Sequence, residues 1–149
     1  MATSLLSREE VFSYIRDRVN QVSDPCSQAL GVAIGLCDMG LVRSLEAEPL
    51  GDRWSVRLTL RLTSPGCLYF VYFEESIRQR IDHPAIRNLE IDFDSGLDWT
   101  PEAMAPAAQR RLAARRSRLL HLHSCDDDAR QSPREQKTRP LSSQRAPTA

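Results

Sequence analysis

With 149 residues, 41% of them hydrophobic and 27% charged, the chain has the length and composition of one globular domain. No apolar run approaches the roughly 18 residues that span a membrane, and Met1 to Ser7 lacks the basic flank and apolar stretch of a secretory signal, so a cytoplasmic protein is expected. Basic and acidic side chains balance at 20 each but are unevenly placed: residues 1 to 100 hold 15 acidic and 10 basic groups, whereas residues 101 to 125 hold five arginines against Glu102. The one lysine, Lys137, lies near the C-terminus, which leaves no residue for Schiff-base chemistry in a formed pocket. Cys26, Cys37, Cys67 and Cys125 are expected as reduced thiols rather than a disulfide framework.

Ser7 and Glu10 have the spacing of a capping box, and Val11, Ile15, Val19 and Val22 recur at helical intervals until Asp24-Pro25, predicting a first helix over roughly residues 8 to 23. Residues 26 to 40 hold three glycines and no clear period, and read as a long ordered loop, the kind that often carries function. Leu41 to Glu48 reads as a strand and Pro49 to Asp52 as a turn. Trp54, Val56, Leu58, Leu60 and Leu62 then alternate with polar residues through Thr63, so the two strands form an antiparallel hairpin with one buried face. After Ser64-Pro65-Gly66, Phe70, Phe73, Ile77 and Ile81 mark a second helix that stops at His83-Pro84. Leu89, Ile91 and Phe93 alternate as a third strand, and Thr100-Pro101-Glu102 starts a third helix running to about Leu120.

From His121 onward large apolar side chains are nearly absent, and a disordered tail over 121–149 is expected to follow a domain over 1–120. The order α-β-β-α-β-α predicts a small two-layer α+β fold, a three-stranded sheet with helices packed on one face.

Among chemistry-bearing residues Cys67 stands first. Placed after the Thr63 to Gly66 turn, it is expected to open the second helix, where free N–H groups and the helix dipole favour the thiolate that binds metal or attacks electrophiles; the alternative is a half-buried structural cysteine. Cys26 and Cys37 bracket the glycine-bearing loop without the spacing of a zinc knuckle. If that loop folds over the turn at 63 to 67, the three thiols converge into a soft-metal or iron-sulfur site; otherwise Cys37 is a core cysteine. His121, His123, Cys125 and Asp126 to Asp128 form a metal-like run, but in a tail where ordering opposes a site. Arg110, Arg111, Arg115, Arg116 and Arg118 form a basic helix face for an acidic partner; with no aromatic beside them to stack a base, nucleic acid is not the expected ligand. No phosphate-binding glycine loop, nucleophile elbow or His-Glu-x-x-His helix occurs, which argues against hydrolases and nucleotide-binding proteins.

The stretch Asp38 to Val42, the strand ending Leu62-Thr63-Ser64-Pro65-Gly66-Cys67, and Trp99 to Met104, with Asp24-Pro25 upstream, together resemble the small iron-sulfur assembly family that includes SufT, PaaD and the eukaryotic MIP-type factors, over roughly residues 8 to 115. The resemblance implies an assembly domain, often dimeric, that helps insert iron-sulfur clusters or mature metalloenzymes. In it the cysteine matching Cys67 handles the cluster, and the aspartates matching Asp24 and Asp38 border the same region, beside Thr63 and Ser64. The chain departs from the family pattern at Cys26, where a glutamate is usual, and at Leu68, where a proline is usual. A thiolate in place of a carboxylate favours iron-sulfur or copper(I) over hard ions. Cys26 with Gly96-Leu97-Asp98-Trp99 resembles a bacterial subgroup associated with multicomponent di-iron monooxygenases, whereas a lone Cys125 does not match the cysteine-rich C-terminal segment of PaaD-type proteins.

These readings lead to a non-enzymatic maturation factor: Cys67, with Cys26 and Cys37, transiently holds iron or a cluster, the metal ligands being Cys67 and Cys26, and passes it to a client apo-metalloenzyme or another assembly protein. A homodimer is expected, with neither membrane nor nucleic acid as partner. One alternative is a metal-free scaffold that docks an oxygenase through Tyr69, Phe70, Tyr72 and Phe73. A second is a thiol redox switch pairing Cys26 or Cys37 with Cys67.

Overall fold

In the computed structural model the described residues are 6–64, 67–94, 96 and 98–130, with the side chains of 123–130 excepted. The elements run α1 (Arg8–Asn20), α2 (Pro25–Ala29), β1 (Val42–Leu50), β2 (Arg53–Arg61), α3 (Phe70–Arg80), β3 (Ile86–Asp94), a 3-10 turn (Pro101–Ala103) and α4 (Pro106–Arg130). Residues 1–117 form one unit and residues 118–149 a second, whose described part is the continuation of α4.

The fold is the expected small α+β domain. β1 and β2 pair antiparallel through a two-residue turn in which Gly51 takes φ +63°, a conformation free of penalty for a residue without Cβ. β3 lies on the other side of β2 and runs parallel to it, giving the order β1-β2-β3 in a mixed sheet. The direction of β3 follows from α3, which spans the crossover a parallel pair requires. On the central strand, alternation puts Val56, Leu58 and Leu60 into the core with Val11, Ile15 and Val19 of α1 and Phe73 and Ile77 of α3.

α1 begins where expected, with both halves of the Ser7/Glu10 capping box formed; the Ser7 N–H donates to Glu10 Oε2 at 2.7 Å. Arg8 ties the helix start to the sheet edge, donating from Nε and Nη2 to the Ala47 carbonyl at 3.1 and 2.7 Å. α1 stops at Asn20 rather than near 23, and the backbone beyond it bonds across to the loop: the Val22 carbonyl accepts the Leu36 N–H at 3.0 Å and the Asp24 N–H donates to the Ile34 carbonyl at 2.8 Å.

Three elements differ from the sequence reading. Residues 26 to 40 are not wholly loop: Asp24-Pro25, which lies beyond the end of α1, starts a second helix, with Asp24 as cap and Pro25 in the first turn of α2. The helix expected from Thr100 is only a 3-10 turn. Thr100 makes no side-chain cap, Met104 is extended, and α4 starts at Pro106, whose ring disfavours helical geometry at the preceding Ala105. α4 then continues to Arg130, ten residues into the stretch expected to be disordered; 131–149 lie outside the described residues.

Gly40 joins the α2 loop to the 3-10 turn. It has φ +71°, and a Cβ would sit 2.2 Å from the Ala103 carbonyl oxygen. Gly51 shares the positive φ, but a Cβ there meets nothing within 4 Å. Gly40→Ala is therefore expected to cost about 2 kcal/mol or more, against about 1 kcal/mol for Gly51→Ala. Urea unfolding midpoints at unchanged slope measure the difference, and equal losses would show that the close approach to Ala103 is not held.

Candidate functional site

Asp24, 3% exposed, organises the loop that carries Cys26. Its Oδ2 accepts the Ser27 N–H at 2.7 Å, its carbonyl accepts the Ser27 hydroxyl at 2.8 Å, and its own N–H donates to the Ile34 carbonyl at 2.8 Å. Ser27, itself buried, closes the ring by accepting the Ile34 N–H on Oγ at 3.2 Å. Every polar group of the pair that these bonds use is satisfied inside the protein, which is what permits a carboxylate and a hydroxyl to be buried there. The exposed second residue of α2 between them is Cys26.

From above, the opposing wall is the end of β2 and the segment leading to α3. Cys26, Thr63, Ser64, Cys67, Leu68 and Tyr69 line one open cavity of about 470 Å³. Cys67 does not open α3: the helix begins at Phe70, and the Cys67 N–H donates to the Ser64 carbonyl at 3.2 Å in a preceding turn. The expected placement of this thiol in the first helical turn is thus corrected, because Leu68 and Tyr69 form a turn before helical bonding starts. Burial, the Asp24 carboxylate and the Cys67 thiol, in that order, push the Cys26 thiol above its ordinary ionisation range.

A second, more apolar cavity of about 190 Å³ adjoins the first through Cys26 and Thr63, and Asp24, Met39, Trp99, Leu112 and Arg116 contribute to its lining. Trp99 is fixed by its indole N–H, which donates to the Met39 carbonyl at 2.8 Å. The sequence patterns held a trace of this wall, since Met39 and Trp99 lie in the stretches that resemble the assembly family. Leu112 and Arg116 carried no such signal, because only the docking of α4 brings them to the thiols.

Cys37 is not brought to this cavity. Its Sγ lies 3.5 Å from the Arg16 carbonyl of α1, and it packs against the core. Desolvation, reinforced by Asp38 and opposed by Arg16, pushes its thiol up to about 11. The three-thiol convergence is therefore replaced by two thiols in one cavity, with the third at α1. Asp38 is a fastener: Oδ2 accepts from Asn20 Nδ2 at 3.1 Å, its N–H donates to Asn20 Oδ1 at 3.0 Å, and its carbonyl accepts the Ala105 N–H at 2.8 Å. Among the described residues no cluster of three or more His, Cys, Asp or Glu side chains has metal-binding geometry. His121 is exposed, and the side chains of His123, Cys125 and Asp126 to Asp128 lie outside the described residues.

The aromatic stretch divides. Phe73 is in the core, while Tyr69, Phe70 and Tyr72 are 40 to 45% exposed and Leu68 is 82% exposed beside the two-thiol cavity. Phe70 rests edge-on against Phe93 at 5.9 Å between ring centroids. The arginines of α4 divide too. Arg115 Nε donates to the Leu30 carbonyl at 2.8 Å and Arg111 Nη2 to the Ala33 carbonyl at 3.1 Å, so both hold down the loop after α2.

A scan against protein-family models finds no match, and no curated protein matches the chain. Solved structures do. The fold is similar to a Bacillus anthracis domain of unknown function, DUF59, with a TM-score of 0.57 and 20% identity over 68% of this chain and 90% of that one. The Mycobacterium tuberculosis protein Rv1466, described as associated with Fe-S complex assembly and repair, aligns over 76% of this chain and 92% of its own at 20% identity, with a TM-score of 0.42. The likeness to the Bacillus anthracis domain is one of fold. Among the described residues no helix is long and apolar enough to cross a membrane.

The placement of Cys37 fixes a pH dependence. Its proton is held to about 11 in the folded chain against an ordinary value of 9.0, so between these values the folded state binds more protons than the unfolded one. The stabilisation is complete below pH 9 and is lost as pH rises toward 11. Wild type should lose more stability than Cys37→Ser across that window, and iodoacetamide should label Cys37 far more slowly at pH 8 than the exposed Cys26. Equal labelling rates, or identical pH profiles of the two chains, would contradict the burial of this thiol.

Proposed function

We propose that the chain is a non-catalytic maturation factor that takes up iron or an iron-sulfur cluster on Cys67 and Cys26 and hands it to a client apo-protein. The observation that carries this reading is the meeting of these two thiols in one open cavity. Cys67 ends the stretch by which the sequence resembles the iron-sulfur assembly family, and the DUF59-like fold accords with that resemblance. Thiolates are soft donors suited to iron-sulfur and copper(I) chemistry, and two of them in an open cavity leave further coordination positions for sulfide or for a client's own ligands. Such incomplete ligation suits transfer, because a cargo held by four protein ligands in a closed site leaves slowly. Asp24, Thr63 and Ser64 support the site, Asp24 by shaping the Cys26 loop and the other two as wall.

Within this proposal the client is a metalloenzyme, of the multicomponent di-iron monooxygenase class that the Cys26 form of the motif resembles, and the factor acts in the cytoplasm as a homodimer. A second reading, a metal-free docking scaffold, is favoured by the exposure of Tyr69, which lines the cavity, and of Tyr72.

Anaerobic reconstitution of the purified chain with iron and sulfide separates the two. Bound iron and a charge-transfer absorbance are expected for wild type and Cys37→Ser, with both reduced at least about tenfold in Cys67→Ser and markedly in Cys26→Ser, since removal of one of two ligands removes most of the affinity. An iron-free, colourless protein in all four cases would overturn the carrier and leave the scaffold.

A further inference from the structure

The arginines of α4 that do not hold the α2 loop face something else. Arg110 and Arg116 are exposed, and no hydrogen bond or ion pair joins either guanidinium to another described residue. Both line an open groove of about 350 Å³ between the 3-10 turn and α4, whose floor is Pro101, Met104, Leu112 and Ala113. Met104 and Leu112 are buried core residues that contribute to this floor. The remaining wall is Gln109, whose side-chain amide is held by donating to the Met104 carbonyl at 3.0 Å. Among the described residues no carboxylate lines the groove, in a chain whose first 100 residues are net acidic.

Two free guanidiniums beside an apolar floor specify an occupant with two features: an apolar side chain to fill the groove and carboxylates to meet the arginines. We propose that this groove is the docking site for a short acidic segment of a partner protein, anchored by an aliphatic or aromatic side chain on Met104, Leu112 and Ala113 and oriented by carboxylates on Arg110 and Arg116. Nucleic acid is disfavoured, because no aromatic side chain lines the groove to stack a base. The groove shares Leu112 and Arg116 with the smaller cavity, which in turn shares Cys26 and Thr63 with the two-thiol cavity. The site is defined by its own charge and shape and stands whether or not the thiols carry metal.

The test is a selection of random twelve-residue peptides displayed on phage against the full chain, followed by anisotropy of the enriched peptides at two salt concentrations. Enriched sequences are expected to combine at least two Asp or Glu residues with one large apolar residue. Their binding should fall about tenfold or more in the double variant Arg110→Glu/Arg116→Glu, fall similarly on replacement of the apolar residue by serine, and persist in Arg53→Glu, a charge reversal at the start of β2. Ala113→Leu, which fills the floor without altering charge, should also weaken binding if the groove is the seat. The proposal is overturned if no acidic peptide is enriched, if the Arg53 variant loses as much as the double variant, or if an all-polar acidic peptide binds equally well. It is equally overturned if single-stranded oligonucleotides, but not peptides, bind through the two arginines. Circular dichroism of each variant shows that the losses are not due to unfolding.

Discussion

The buried Asp24 carboxylate is the constraint on which the candidate site depends. A charge 97% removed from solvent is tolerable only if hydrogen bonds replace the lost water, and the Ser27 N–H does so on Oδ2 while the backbone of Asp24 pairs with Ile34 and Ser27. That pairing fixes both ends of an eleven-residue excursion from Asp24 to Ile34. It also starts α2 and sets the direction in which Cys26 leaves the chain. Removing the carboxylate leaves the Ser27 N–H without its acceptor, and the loop that carries Cys26 to the cavity it shares with Cys67 loses its anchor.

Fastening of the same loop from outside shows why the long C-terminal helix belongs to the domain's construction up to Ser117. Arg115 and Arg111 satisfy the carbonyls of Leu30 and Ala33, Asp38 bonds both Asn20 and Ala105, and Trp99 caps the Met39 carbonyl. Each bond is modest by itself, about 1 kcal/mol. Together they join α1, the α2 loop, the 3-10 turn and α4 into one wall, against which the end of β2 presents Thr63, Ser64 and Cys67. The loop thus carries function on a scaffold that over-determines its path.

What the sequence disclosed, it disclosed through period and punctuation. Val56, Leu58 and Leu60 alternate without interruption, and the central strand is where they place it; Ser7 and Glu10 cap α1 as their spacing requires. Long-range placement was less legible. The parallel course of β3 depends on the crossover helix rather than on Leu89, Ile91 and Phe93, whose alternation suits either direction. Asp24-Pro25 reads as a helix stop, yet α1 has already ended at Asn20 and the pair instead starts α2, a role that a one-dimensional pattern does not display. For Cys37 the sequence left open both a cluster thiol and a core cysteine. The difference is tertiary, since α1 covers one thiol and leaves the other open. Likewise five arginines read as one basic face, whereas two are spent on backbone carbonyls and two border an apolar groove.

The central claim is that Cys26 and Cys67, without Cys37, constitute a single two-thiol site. Anaerobic titration with cobalt(II), whose thiolate charge-transfer absorbance reports directly on sulfur ligation, tests it most directly. The account predicts one band per chain, halved or lost in Cys26→Ser and in Cys67→Ser, absent from the double variant, and unchanged in Cys37→Ser. A band that survives in the double variant, or one that disappears with Cys37→Ser, would contradict it.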